Sequence, residues 1–394
     1  MSPAVTRTLV LLLGALTGFS PLTIDMYLPA LPAMGADFGA SSSVVQLTVS
    51  SYFAGMAIGQ VIYGPLSDSY GRKRPLYLGL VIYIVASFGC AVAPTIGSMI
   101  GLRFLQALGG CAGMIIARAI VRDLVSGQDA ARLFSSMMLV MGVAPILAPL
   151  LGSYVLVWSS WHAIFVLLAV FGVLCLAGCA VYLPETLPVE RRRPTGVGVA
   201  LRSFGTLLRD RRFMGFSLSA GLAMATLYTY ITASAHFFIG LYDMSPTTYA
   251  WLFGSNAAGL IAASQLNQRL LRKWNLYQLM RGGLSVHLVS AVAFLIAAVL
   301  QAPMPVLCVP LWFVLASLGV ISPNGAAASL SGEARMAGAA SSLMGIFPFV
   351  IGALAGAFVG LLPQDTPVSL AAVIAVTAMA AWSSHRLLIG NTER

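Results

Sequence analysis

The stretch Thr8–Ala30, TLVLLLGALTGFSPLTIDMYLPA, decides how the rest of the chain is read. From residue 8 to residue 30 it is long enough to cross the hydrocarbon core of a bilayer as a helix. It carries a single charge, Asp25, and no other charged side chain falls between Arg7 and Asp37. A carboxylate inside a membrane segment is costly, so it marks a functional site by default.

Composition extends that reading to the whole chain. Of 394 residues, 59% are hydrophobic and 9% are charged, whereas a soluble chain carries about a quarter charged residues. The expectation is a polytopic membrane protein. Its five cysteines, Cys90, Cys111, Cys175, Cys179 and Cys308, all lie in apolar segments, with neither a disulfide framework nor a zinc spacing. The first apolar run is too long for a cleavable signal peptide, and none is expected. No Walker-type phosphate loop occurs, which argues against drive by ATP. No nucleophile–base set lies in the spans, so an intramembrane enzyme is not expected, and no cofactor is implied.

Apolar runs of spanning length recur near 8–30, 44–65, 76–93, 97–119, 132–156, 161–183, 213–238, 247–268, 277–300, 305–328, 337–361 and 367–389. The predicted fold is an all-α membrane protein with twelve transmembrane helices in two six-helix halves. Residues 1–183 form the first bundle, 184–212 a cytoplasmic linker containing Glu190–Pro194 (ERRRP), and 213–394 the second bundle. The halves echo one another faintly. Gly71-Arg72-Lys73-Arg74 follows the second run, and Arg269, Arg272 and Lys273 follow the eighth. Transporters built from repeats show such symmetry.

Charge fixes the expected orientation. With both termini and the linker in the cytoplasm, every Lys and Arg outside the fourth run falls on that side, Arg193, Arg335 and Arg394 included. The opposite side holds Asp37, Asp243 and Asp365 and no basic residue. This is the positive-inside pattern. The net charge of +10 thereby serves orientation and anionic headgroups, and nucleic acid is not an expected partner.

Three sets of residues carry candidate chemistry. At 1.5 Å per residue, Asp25 in the first helix and Arg103 in the antiparallel fourth helix fall at the same depth in the outer half of the membrane. They are expected to pair or to share a water network. Desolvation and the guanidinium act in opposite senses on the proton, and a substrate that weakens the pairing couples its own occupancy to proton occupancy. A static pair holding two helices in register is the alternative, and a buried pair contributes little stability by itself. The second set lies in the turn Gly64-Pro65-Leu66-Ser67-Asp68-Ser69-Tyr70-Gly71-Arg72-Lys73-Arg74. Gly64 and Gly71 permit close approach and tight turning. Asp68 is expected to face the start of the eleventh helix, Ala337–Ser342, or Arg122, as a latch on the cytoplasmic side. The third set is a candidate substrate-contacting surface of Tyr27, Tyr52, Gln106, Met137, Met141, Tyr228, Tyr230, Asn256 and Phe347, since aromatic and methionine side chains repack around varied guests. In the fifth helix Pro145 and Pro149 remove helix donors, and Gly152 permits close packing. Arg118 either snorkels or lines the inner cavity, and the sequence leaves both open.

These residues resemble a known family. Gly64 to Lys73 is similar to the loop signature G-x-x-x-D-[RK]-x-G-R-[RK] of the major facilitator superfamily. Arg103-Phe104-Leu105-Gln106 resembles its fourth-helix motif, and Ala144-Pro145 through Ala148-Pro149-Leu150-Leu151-Gly152 its fifth-helix exporter motif. Asp25-Met26-Tyr27-Leu28-Pro29-Ala30-Leu31-Pro32, Trp161-His162-Ala163-Ile164-Phe165 and Pro184-Glu185-Thr186-Leu187 resemble the bicyclomycin/chloramphenicol-resistance (Bcr/CflA) branch. Ser69 stands where that family usually has a basic residue, Thr17 where some multidrug relatives have a second acid, and Ala148 and Ser153 where the exporter motif has glycines. The resemblance implies an inner-membrane, proton-coupled drug antiporter that works by alternating access, with small amphiphilic antibiotics and protons as partners, lipid around it and a monomer as the working unit. A transporter of a native metabolite, such as an amino acid or small peptide, is the other expectation.

Overall fold

The computed structural model describes residues 7–125, 127–192, 197–331 and 337–389. Arg193, Arg335 and Arg394 of the charge pattern, and Pro194 of the linker block, lie outside the described residues. The described residues are helical and contain no strand. Eleven helices among them are long and apolar enough to cross a membrane. The chain is a multi-pass membrane protein.

By contact the chain divides into two compact units, one of Met1–Ala40 with Ser51–Ala200 and one of Ser41–Ser50 with Leu201–Arg394. The first membrane segment is α1 (Arg7–Asp25), a 3-10 turn (Leu28–Ala30) and α2 (Leu31–Phe38). There follow α3 (Ser42–Tyr70), α4 (Lys73–Ala91), α5 (Ile96–Leu124), α6 (Gly127–Trp158) and α7 (Trp161–Tyr182). In this unit α4 packs on α5 and α7, and α1 on α5, α6 and α7. A Thr95–Ser98 capping box starts α5.

The expected linker is not featureless. It holds a 3-10 turn (Val189–Arg191) and the short helix α8 (Val197–Leu207). Helix α8 forms because its face is amphipathic: Phe204 and Leu207 are buried, and Arg202 and Thr206 are exposed.

The second unit contains α9 (Arg211–Ala235) with a π-helical continuation (His236–Leu241), α10 (Pro246–Leu270), α11 (Leu276–Val299), α12 (Met304–Leu330), α13 (Ala337–Leu361) and α14 (Val368–Ile389). Here α9 packs on α12, α13 and α14, and α12 on α10 and α11. Helix α10 has the length of a span but is not among the eleven, because Thr247, Thr248, Ser255, Asn256, Ser264, Gln265, Asn267 and Gln268 lower its apolar character.

Candidate functional site

The first membrane segment is broken at its single charge. An uninterrupted helix over 8–30 is the expectation, but α1 ends at Asp25 and regular helix resumes only at Leu31. Pro29 and Pro32 have no N–H, so the carbonyls of Asp25 and Leu28 lose their helical donors. The chain compensates locally: Ala30 N–H bonds the Tyr27 carbonyl at 2.9 Å, and Leu31 N–H turns back to Leu28. Helix α6 packs against this break. A Cβ on Gly152 would sit 1.7 Å from the Met26 carbonyl oxygen, so only glycine admits the approach. Pro145 and Pro149 lie within α6, which continues through both.

Asp25 is 4% exposed, and its carboxylate has no hydrogen bond or ion pair with any described residue. The direct Asp25–Arg103 ion pair, one of the two expected arrangements, is absent among the described residues. Arg103, fully buried, reaches the same level of α1 but donates through Nη1 to the Thr23 carbonyl, at 3.3 Å, and to Gln106 Oε1. Its guanidinium carbon lies 4.1 Å from the Tyr27 ring centroid, 4.4 Å from that of Tyr52 and 5.7 Å from that of Phe165. The reason is geometric. Three ring faces and an amide oxygen hold the cation beside the α1 backbone, where cation–π attraction replaces the carboxylate. Nε and Nη2 of Arg103 have no partner among the described residues.

Polar side chains missed by the sequence reading extend this centre. Gln106 Nε2 donates to Ser87 Oγ at 2.8 Å, Ser87 Oγ donates to the Tyr83 carbonyl, and Tyr83 OH lies 2.8 Å from Thr23 Oγ1. Helices α1, α4 and α5 are thereby joined through one buried network. Thr23 stands two residues before Asp25, and that adjacency was its one signal in the sequence.

The expected drug-contacting residues fall into two kinds. Tyr27, Tyr52 and Gln106 are fully buried around Arg103, and Met137 is buried on α6. In the second unit Asn256 Nδ2 donates to Tyr230 OH at 3.0 Å, both are buried, and Tyr230 stacks on Phe253. Met141, Tyr228 and Phe347 are half-buried. Tyr228 stacks on Phe349 with centroids 5.0 Å apart, and Phe347 packs over Gly221.

The turn between α3 and α4 is built around Arg72. Its Nη1 meets Asp68 Oδ1 at 2.6 Å and Ser67 Oγ at 2.9 Å, while Nε and Nη2 grip Asp123 at 2.7 and 3.2 Å. Asp123 also accepts from Thr186 Oγ1 at 3.0 Å. Burial disfavours the Arg72 charge, but Asp123 and Asp68 outweigh it and hold its pKa above the ordinary arginine value. Glu185 accepts from the backbone N–H groups of Arg72 at 2.9 Å, Leu187 at 3.1 Å and Lys73 at 3.3 Å. Partial burial opposes the Glu185 charge. Those three donors, with Arg192 beside it, override burial and hold its pKa below the ordinary carboxylate value. Gly71 adopts φ +87°, and a Cβ there would come 2.5 Å from Glu185 Oε2, so both backbone and space require glycine.

Two expectations for this turn are corrected. Arg122 is exposed and outside the cluster, because adjacent helical residues point about 100° apart and Asp123 takes the inward position. Gly64 is not a close-packing site, since a Cβ there would meet no atom within 4 Å.

The comparisons with known proteins agree with this architecture. The family model described as Major Facilitator Superfamily matches residues 13–357. A protein named uncharacterized MFS-type transporter YdgK, from Bacillus subtilis, is 33% identical, covering 94% of this chain and 92% of its own. A bicyclomycin resistance protein homolog of Haemophilus influenzae is 31% identical, covering 91% and 90%. A chloramphenicol resistance protein of Pseudomonas aeruginosa is 29% identical, covering 91% and 85%. Among solved structures, a D-xylose–proton symporter superimposes with a TM-score of 0.74 at 15% identity, covering 95% of this chain and 96% of that one.

Proposed function

Since this chain belongs to the major facilitator superfamily and is a transporter, we propose that it exports small amphiphilic antibiotics of the bicyclomycin and phenicol kind in exchange for protons. The observation that carries this reading is the break at Asp25, a buried carboxylate at the end of an interrupted membrane helix, with the buried cation Arg103 held against the Thr23 carbonyl two residues earlier. Broken membrane helices with an ionisable group are where transporters bind substrate and coupling ion. The names of the relatives from Haemophilus influenzae and Pseudomonas aeruginosa supply the substrate class.

Asp25 takes a proton from outside, where entry is favoured, and loses it to the cytoplasm as drug binds. A carboxylate that is charged with drug and neutral without it makes proton and drug alternate in one site. Arg103, fixed by Tyr27, Tyr52 and Gln106, is the constant positive charge against which that alternation is set. The Arg72–Asp68–Asp123 cluster closes the cytoplasmic side, with both termini on that side of the inner membrane, and alternating access completes the cycle.

Purified protein in liposomes with an imposed pH gradient tests this, with chloramphenicol flux and proton flux followed together. Wild type concentrates drug as the gradient dissipates. Asp25→Asn keeps drug binding and loses uphill transport. Concentration of drug by Asp25→Asn against its gradient would overturn the role of Asp25. Drug movement without proton movement in wild type would overturn the coupling.

A further inference from the structure

The turns after α3 and after α10 occupy equivalent places, two hundred residues apart, with Arg72-Lys73 in one and Arg272-Lys273 in the other. They differ in what balances the charge. Arg72 is held by Asp68 and Asp123 of its own unit. At the place of Asp68 the second turn has Gln268, and the sequence contains no Asp or Glu between Asp243 and Glu333. Arg269, Arg272 and Lys273 are all exposed, and none forms an ion pair with a described residue. Trp274, the next residue, is 53% exposed, and Leu271 is 43% exposed.

The turn is ordered rather than loose. Arg272 N–H bonds the Arg269 carbonyl at 3.2 Å, and the N–H groups of Lys273 and Trp274 both bond the Leu270 carbonyl, at 2.9 and 3.0 Å. The start of α11 is closed by its own capping box, Asn275 with Gln278. The backbone donors of residues 271–275 are thus satisfied, and the side chains present the positive charge.

We propose that this turn binds the headgroup of an anionic phospholipid, which supplies the negative charge that Asp68 and Asp123 supply in the first half. Three cations, one in the last turn of α10 and two in the ordered turn after it, suit a phosphodiester at the membrane surface. Exposed Leu271 and Trp274 suit the acyl–headgroup boundary, where an apolar ring with a polar N–H is at home. A soluble anion would leave that apolar surface unused, so the lipid is the better occupant. The assignment to the inner leaflet follows the charge pattern of the loops.

Full-length protein in a neutral detergent is titrated with phosphatidylglycerol and, in parallel, with phosphatidylcholine, and bound lipids are counted by native mass spectrometry. Wild type should retain phosphatidylglycerol over phosphatidylcholine. R269Q/R272Q/K273Q should weaken that retention by about tenfold or more, while R202Q/R209Q/R211Q, with the same loss of charge, should leave it unchanged. Equal weakening in both triple variants would reduce the effect to net charge and overturn the site, as would no weakening in the first. Displacement of the lipid by inorganic phosphate at matched concentration would also overturn it. Should the first triple variant fail to run as a single species on gel filtration, R272Q and W274A replace it. Retention unchanged in both would refute the proposal.

Discussion

Gly152 on α6 and Met26 at the end of α1 meet backbone to backbone, with no room for a methyl group between them. The break at Asp25 is therefore held by the packing of a neighbouring helix as well as by its own prolines. Gly152→Ala should push α6 away from Met26 at a cost of about 1–3 kcal/mol, the usual range for overpacking. Expression should fall modestly and uphill export should fall much more. Export at the wild-type rate per molecule, measured in liposomes, would show that the break tolerates a looser neighbour.

Arg103 should not be replaceable by lysine. A lysine keeps the charge but cannot present a planar face to Tyr27 and Tyr52 while also donating to Thr23 and Gln106. Arg103→Lys should bind drug to within a few-fold of wild type and lose most gradient-driven accumulation. Equal performance of the two in the liposome assay would reduce Arg103 to a bare positive charge.

In the turn after α3, the inward partner is Asp123 and the outward neighbour is Arg122. Asp123→Asn should remove one end of a charge-assisted pair and cut resistance in cells sharply, with protein level maintained. Arg122→Gln should do little. The opposite order, from drug susceptibility at matched expression, would restore Arg122 as the partner.

Glu185 supplies a pH dependence with a definite sign. Its folded pKa lies below the ordinary value of 4.5, so its contribution to stability is fully present above that value. The contribution is lost as pH falls below 4.5 and through the lower folded value. Thermal unfolding in detergent should show wild type losing more stability than Glu185→Gln between about pH 5 and pH 3. Parallel curves for the two proteins would mean that Glu185 does not hold the turn.

Orientation is checked by labelling. A cysteine at Asp243 should react with an impermeant maleimide in intact cells, and one at Arg192 should react only after the membrane is opened. The reverse pattern would invert the topology.

The apolar runs were legible because hydropathy accumulates over a whole span. The break at Asp25 was not, because proline inside a membrane helix has two outcomes. Pro145 and Pro149 leave α6 continuous, whereas Pro29 and Pro32 interrupt the first segment. Packing decides which occurs, and packing is absent from a sequence. Rise per residue placed Arg103 at the right level of α1, yet level does not set azimuth or rotamer. The guanidinium turned to ring faces and to Thr23 rather than to Asp25. The same limitation separated Arg122 from Asp123. Glu185 and Thr186 were visible only as part of a family signature, since contacts across so many residues leave no local periodicity.

The polarity of α10 has a consequence for how the protein is made. Three of its polar groups meet partners in other helices: Asn267 Oδ1 accepts from Asn324 Nδ2 of α12 at 2.7 Å, Asn256 Nδ2 donates to Tyr230 OH of α9, and the Ser255 carbonyl accepts from Trp312 Nε1 of α12. Helix α12 leaves the ribosome after α10. In the interval a nascent α10 lacks the Asn324 partner of its Asn267 side chain, which raises the cost of placing that helix in lipid. A lesion at Asn324 would accordingly be felt in the yield of inserted protein, among molecules that never reach the membrane, while those that do arrive transport normally.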